Sequence, residues 1–227
     1  MTRHRPGNLQ NRKPRTVNTL TKLIIIQAAV LLLQIILYFG SERFQHVFHN
    51  PQRRLDARIP RIPAFVYPYV LWFPLIVIFP IGLYYFSPGN WVALQMAWIF
   101  CVVVSVVAYL AYPTTFQRQE LGHGRTERVL ALVYKTSYRG VNCAPSLHCS
   151  TSMMIAFVAV VTNQMPWWLR VISVLVSLAI ILATQFTKQH VLLDLLTAIP
   201  VAAVSLAIGF GVAANGGTEV IQAWFGL

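Results

Sequence analysis

The sequence predicts an all-α membrane protein, a polytopic helix bundle with six transmembrane helices, and three observations predict it. Of the 227 residues, 56% are hydrophobic and only 11% are charged, where soluble domains carry about 25% charged residues. The mean hydropathy is positive, at +0.59. The apolar residues also fall into six runs near bilayer-crossing length, at roughly 20–39, 66–86, 91–111, 147–162, 168–187 and 190–212.

The stretch "MTRHRPGNLQNRKPRT" is basic and polar, so residues 1–19 are expected to form a cytoplasmic tail, unstructured against an anionic leaflet. The first span, 20–39, is expected to stay in place rather than be cleaved as a signal. It is long, it ends in Tyr38-Phe39, and no small-x-small cleavage pattern follows. Residues 40–63 are too polar to cross, and "RRLDARIPRIP" reads as an interfacial segment. Its arginines are expected to meet headgroups and its prolines to end it before the second span. Residues 64–212 are expected to hold the catalytic core. Within them, loop 112–145 is the longest polar insertion, so it must have a task or be tied down. Residues 213–227 form a C-terminal tail, either a short interfacial segment anchored by Trp224 or a frayed end.

Parity puts loop 112–145, the start of the fourth span and the junction of the fifth and sixth on one membrane face. With the tail cytoplasmic, that face is extracytoplasmic. The cations oppose this orientation, since seven of the 18 Lys and Arg fall on the cytoplasmic side and eleven on the other. The net charge of +12 calls for anionic partners. In a chain this apolar they are membrane lipids rather than nucleic acid. Cys101, Cys143 and Cys149 form no CxxC and, being odd in number, suggest neither a disulfide scaffold nor a zinc site.

Between Glu127 and Glu219 the only acid is Asp194, inside an apolar run. An ionisable group there is expensive and points to function. In "TKQHVLLDLL", His190 and Asp194 are four apart, one turn on the same face of a helix. A carboxylate on one imidazole nitrogen fixes the tautomer and frees the other as nucleophile or base. The bland alternative is a buried polar pair that satisfies itself. In "PSLH", Ser146 stands where it would cap the fourth helix, whose N–H groups make an anion site. His148, in the first turn, could then protonate a leaving oxygen; an ordinary N-cap is the alternative for Ser146. Arg118 and Lys188 are cations on the same face, suited to phosphate oxygens or simply to anchoring at headgroups. Two histidines, a carboxylate, two cations and an open helix N-terminus together suit phosphoryl transfer through a phosphohistidine.

At these residues the chain resembles the type 2 phosphatidic acid phosphatase (lipid phosphate phosphatase) superfamily. Its motifs run K-x6-R-P, then P-S-G-H, then S-R-x5-H-x3-D. Here the second reads Pro145-Ser146-Leu147-His148, the third keeps His190 and Asp194, and the first is recognisable only through Arg118. The resemblance spans roughly 64 to 212 and implies a core of six helices. It further implies His190 as nucleophile, Asp194 as its partner and His148 as acid, with Arg118, Ser146 and Lys188 holding phosphate. It implies a lipid phosphate or diphosphate substrate, no cofactor and no metal ion, and a site at the extracytoplasmic surface. The chain departs from the pattern at Ala111 and Gln119 in the first motif, and at Ala183 and Thr184 in the third. Lys188 is the candidate replacement cation, with Lys135, Arg125 and Arg139 behind it. Leu147, "IPAFVYPYVLWF" and "TKQHVLLD" resemble the inositol phosphorylceramide synthase-type branch, some of whose members pass a phospho-headgroup to an alcohol.

The expected function is hydrolysis of a phosphomonoester or diphosphate lipid. The runner-up is transfer of a phospho-headgroup to a lipid or polyol hydroxyl. A proton-coupled transporter using His148, His190 and Asp194 is a reading of another class, but it leaves Arg118, Lys188 and the Pro-Ser helix start without a role. A zinc hydrolase with those two histidines and the carboxylate as ligands is a further alternative.

Overall fold

An apolar segment in lipid must close its backbone hydrogen bonds within itself, which leaves helices or closed barrels. The computed structural model describes residues 17–136 and 139–227, and among them it contains helices and isolated bridges but no strand. The basic stretch expected to lie against a leaflet falls almost entirely on residues 1–16, outside the described residues.

Helix α1 (Thr19–Ser41) starts at Asn18, whose Oδ1 accepts from the Thr21 N–H at 2.8 Å. A turn at Pro63–Phe65 leads into α2 (Val66–Val70) and α3 (Trp72–Phe86). Ser87 caps α4 (Pro88–Ala111), with Pro88 at the first helical position, where its missing N–H costs nothing. The polar loop carries α5 (Arg125–Thr136), and α6 (Leu147–Val161), α7 (Trp167–Phe186) and α8 (Leu192–Val212) follow. After a kinked turn at Ala213–Gly217, the C-terminal stretch forms α9 (Thr218–Phe225) instead of fraying. Its Trp224 is 83% exposed, as an interfacial anchor would be.

Among the described residues, five stretches are long and apolar enough to cross a membrane: Thr19–Phe44, Pro63–Phe86, Pro88–Ala111, Trp167–Phe186 and Leu192–Phe225. The expected fourth span is the 15-residue α6. It is roughly 22 Å long at 1.5 Å per residue, short of a hydrocarbon core of about 30 Å. The reason is its starting point. Asn142, Cys143, Pro145 and Ser146 are all buried, so α6 begins within the bundle, packed on α4, α7 and α8. The sixth run also begins later than expected, because residues 187–191 form a turn before α8.

Lipid tails are as apolar as leucine, so burying leucine between these helices gains little. Ile25, Ile36, Ile78, Leu175 and Leu182 accordingly face outward. Polar side chains hold α1 in place: Gln27 Nε2 donates to Ile76 O at 2.9 Å, Gln95 Nε2 to Gln27 Oε1 at 2.9 Å, and Trp98 Nε1 to Gln34 Oε1 at 2.8 Å. Such bonds contribute about 0.6–2 kcal/mol each within a membrane. Close packing does the rest. A Cβ on Gly209 of α8 would collide with the carbonyl oxygen of Ala93 on α4.

At one end of the bundle four polar segments meet. His49 N donates to Pro113 O at 2.8 Å, Ile62 N to Phe186 O at 2.9 Å, and Ser146 N to Asp194 O at 3.2 Å. Loop 112–145, the α6 start and the α7–α8 turn therefore share one end, as parity required. The loop is tied down: α5 lays Leu130 and Val133 on Val66, Tyr69 and Ala183, and Glu127 pairs with Arg61.

Candidate active site

His190 sits in the turn between α7 and α8. The N–H groups of Gln189 and His190 both donate to Thr184 O, at 3.2 and 3.1 Å. Lys188 takes the left-handed conformation, φ 56°, which costs a non-glycine residue about 1–2 kcal/mol and persists only where neighbours hold it.

The spacing of His190 and Asp194 works, but not as one turn of a shared helix. His190 precedes α8, and Asp194 is the third residue of its first turn. From there Oδ2 accepts both the Val191 N–H at 3.1 Å and His190 Nδ1 at 3.0 Å. An ionised carboxylate only accepts, so Nδ1 carries the proton and the lone pair lies on Nε2. Asp194 is fully buried and its Oδ1 has no hydrogen-bond partner among the described residues.

His148 lies in the first turn of α6. Ser146 caps that turn, its Oγ accepting from Cys149 N at 3.3 Å. The His148 ring packs against Tyr69, with centroids 4.7 Å apart, and Trp72, at 4.1 Å; it lies 5.7 Å from the His190 ring. Trp72 is held there by its Nε1, which donates to Thr151 Oγ1 at 2.9 Å. His148 Nε2 is buried and has no hydrogen-bond partner among the described residues. Leaving such an atom unpaired costs about 1–3 kcal/mol unless a ligand supplies the bond.

Both histidines line a chamber of about 260 Å³ whose walls are largely aromatic and aliphatic. Ile35, Phe39 and Phe73 also line it while remaining 52%, 42% and 47% exposed. The chamber therefore opens sideways, between α1 and α3. Arg118 reaches it from the polar loop, with Nη1 donating to Tyr134 O at 3.2 Å and its guanidinium 4.7 Å from the Tyr134 ring centroid. Cys143 lines it too, but burial first, and the Asp194 charge second, push its thiol well up, which keeps it from being a thiolate nucleophile.

A second cavity, of about 280 Å³, lies beside the first and is the more polar of the two. Gln52, Gln117, Gln119 and Gln185 line it with Arg53, Lys188 and Asp56. Among the described residues, only Phe116 and His190 line both cavities, and they stand at the partition. Lys188 is thus on the opposite side of His190 from Arg118. Its Nζ donates to Asp56 O at 2.8 Å, and burial holds its ammonium below the usual lysine range although Asp56 pulls the other way. Ser146 is fully buried as a helix cap and lines neither cavity. Arg139 is drawn away to Glu42 O at 2.8 Å, while Lys135 and Arg125 are exposed and line neither cavity. Thr184, where the resembled motif carries arginine, is buried and supplies the carbonyl that holds His190.

Sequence reasoning assigned no role to Tyr69, Trp72, Phe116, Gln185 or Asp56. An acid among arginines in "RRLDARIPRIP" was the one available signal for Asp56.

Fold and site together define an all-helical membrane protein with a carboxylate-backed histidine facing a second histidine across a laterally open apolar chamber. No protein-family model, no curated protein and no solved structure matches this chain.

Proposed function

We propose that the chain is an integral membrane lipid-phosphate phosphatase working through a phosphohistidine on His190, with α6 as the sixth membrane helix and the site at the extracytoplasmic face. The observation that carries this reading is the pairing of two different imidazoles on one apolar chamber. One is backed by a carboxylate with its Nε2 lone pair free; the other has a buried Nε2 lacking any partner.

A lipid phosphate would come in from the bilayer between α1 and α3. His190 Nε2 attacks phosphorus, the P–N bond forms, and the P–O bond to the lipid alcohol breaks. His148, protonated at Nε2, gives its proton to the departing oxygen. Asp194 stabilises the imidazolium that develops on His190, and Arg118 steadies the non-reacting phosphoryl oxygens. In the second half, water attacks opposite the P–N bond and gives its proton to His148. The new P–O bond forms as the P–N bond breaks, which frees His190 Nε2 and releases inorganic phosphate.

One observation favours a second reading, transfer of a phospho-headgroup between alcohols. In an in-line displacement the leaving and attacking oxygens share the position opposite His190 Nε2. A substituent kept on phosphorus points to the side, and beside His190 lies the polar cavity with its amides and cations. Headgroup in that cavity and both alcohols in the chamber would make a transferase.

The test is purified protein in lipid vesicles given phosphatidate, a diphosphate lipid and a phosphodiester headgroup donor, each with and without an added alcohol, in excess chelator. Phosphate release from the first two, unaffected by chelator, is the expected result. Product that forms only from the diester and only with the alcohol would replace hydrolysis by transfer. No turnover of any donor would overturn both.

A further inference from the structure

Within the polar stretch ahead of α2, "RRLDARIPRIP" holds a single acid among its arginines. Asp56 lies in a short turn, Arg54–Arg58, and is 6% exposed. Its oxygens are all engaged. Oδ2 accepts from Arg53 N at 2.7 Å and closes the turn. Oδ1 accepts from Leu192 N at 2.7 Å, and the main-chain oxygen accepts from Lys188 Nζ at 2.8 Å. Lys188 and Leu192 stand two residues to either side of His190.

The turn that carries His190 is thus gripped from three directions. Thr184 O holds its main chain from α7, and Asp194 holds Val191 N and the imidazole from α8. Asp56 holds both flanks from a distant part of the chain. It is the one of the three that comes from outside the α7–α8 hairpin. Two carboxylates, Asp194 and Asp56, also take the Val191 and Leu192 N–H groups at the α8 start, where the helix dipole favours negative charge. Lys188 takes its left-handed conformation just past the α7 C-cap, where its own N–H donates to Gln185 O and that of Gln189 to Thr184 O, both at 3.2 Å. Asp56 adds a hold from outside that turn.

We propose that Asp56 is the positioning residue for His190. It ties the interfacial segment to the α7–α8 turn so that the imidazole is held at the partition between the two cavities. Its effect on turnover rests on the reading of His190 as the phosphoryl acceptor, whereas its effect on the placement of His190 does not. Asp56 touches no reacting atom. It acts through Leu192 N and Lys188, and Asn in its place keeps the shape but loses the charge and one acceptor.

Two readouts test it on the full chain in lipid. The first is carbethoxylation by diethyl pyrocarbonate, followed at each histidine by mass spectrometry. Asp56→Asn is expected to raise labelling of His190 about tenfold relative to exposed His123, as a lost charge-assisted bond frees the turn. His148 is expected to stay as it was. The second is turnover of phosphatidate in phosphatidylcholine vesicles. Here kcat is expected to fall about 100-fold with KM unchanged, the signature of a displaced reacting group. Wild-type labelling of His190 in the Asn variant overturns the proposal, and so does equal labelling gain at His148, which marks general loosening. If Asp56→Asn lowers helical circular dichroism, Asp56→Glu takes its place under the same two outcomes. If the wild type turns over no lipid phosphate, the phosphatase reading fails, and the labelling comparison still decides the role of Asp56.

Discussion

The two sides of His190 are built by different physics. On the chamber side, Tyr69, Trp72 and His148 project from helices of the bundle, and their rings are fixed by packing and by the Trp72–Thr151 bond. On the other side the walls are a polar strap and loop ends, fixed by hydrogen bonds to Asp56 and Thr184. The chamber is lined mainly by aromatic and aliphatic side chains; the second cavity is lined by amides, cations and Asp56. Where spans end, hydrocarbon no longer enforces helix, so polar clamps must place whatever the turn carries. The side chain shared by both cavities depends on both kinds of order, and that makes the two sides separable by mutation.

The largest effect should come from the shared residue. His190→Asn removes the attacking nitrogen and is expected to lower phosphate release from phosphatidate vesicles by on the order of 10⁴-fold. Full turnover in that variant would end the phosphohistidine mechanism. His148→Asn affects the chamber side alone. Loss of a general acid is expected to cost about 10²–10³-fold on a lipid alcohol leaving group. With an aryl phosphate, whose leaving oxygen needs no proton, most of that loss should vanish. A loss of equal size on both substrates would assign His148 to packing.

The polar side is probed by Gln185→Ala. Gln185 is 6% exposed, lines the polar cavity and has an Oε1 without a partner. Removing it should leave phosphatidate hydrolysis unchanged and weaken use of a diester donor about tenfold, if a headgroup rests there. Equal change in both reactions would erase the distinction between the cavities. The smallest effect belongs to Lys188→Met, which loses the bond to Asp56 O and about 1 kcal/mol of stability. Because burial holds the Lys188 ammonium low, the unfolded chain binds more protons than the folded one at alkaline pH. The wild type should therefore gain on the variant in thermal unfolding as pH rises toward the ordinary lysine value of 10.5. A gap that shrinks with pH would show that Lys188 is not held below its usual range.

Much of this was legible in residues close together in sequence. The six apolar runs announce the helices, Ser146 announces the α6 start, and the separation of His190 and Asp194 announces their contact. The contact is nonetheless made through the first turn of α8 rather than along one helix face, since His190 precedes the helix. The run 147–162 matched α6 to within a residue, yet a helix of 15 residues is shorter than the five stretches long enough to cross, and hydropathy does not reveal that it starts within the bundle. Lys188 illustrates the limit more sharply. Its charge and neighbourhood suggested a partner for Arg118, yet the turn of the main chain puts it on the far side of His190.

By itself, the sequence determined the all-helical membrane character and the inventory of ionisable groups at one end. Hydropathy and local spacing encode those directly, through the cost of an unpaired backbone in lipid and the reach of a side chain within one turn. The tertiary structure alone decided which rings enclose His148, that Phe116 and His190 divide two cavities, and that Asp56 grips a turn 136 residues away. Those contacts depend on the relative register of helices that lipid does not drive together. Close packing and a few polar bonds between distant segments set it.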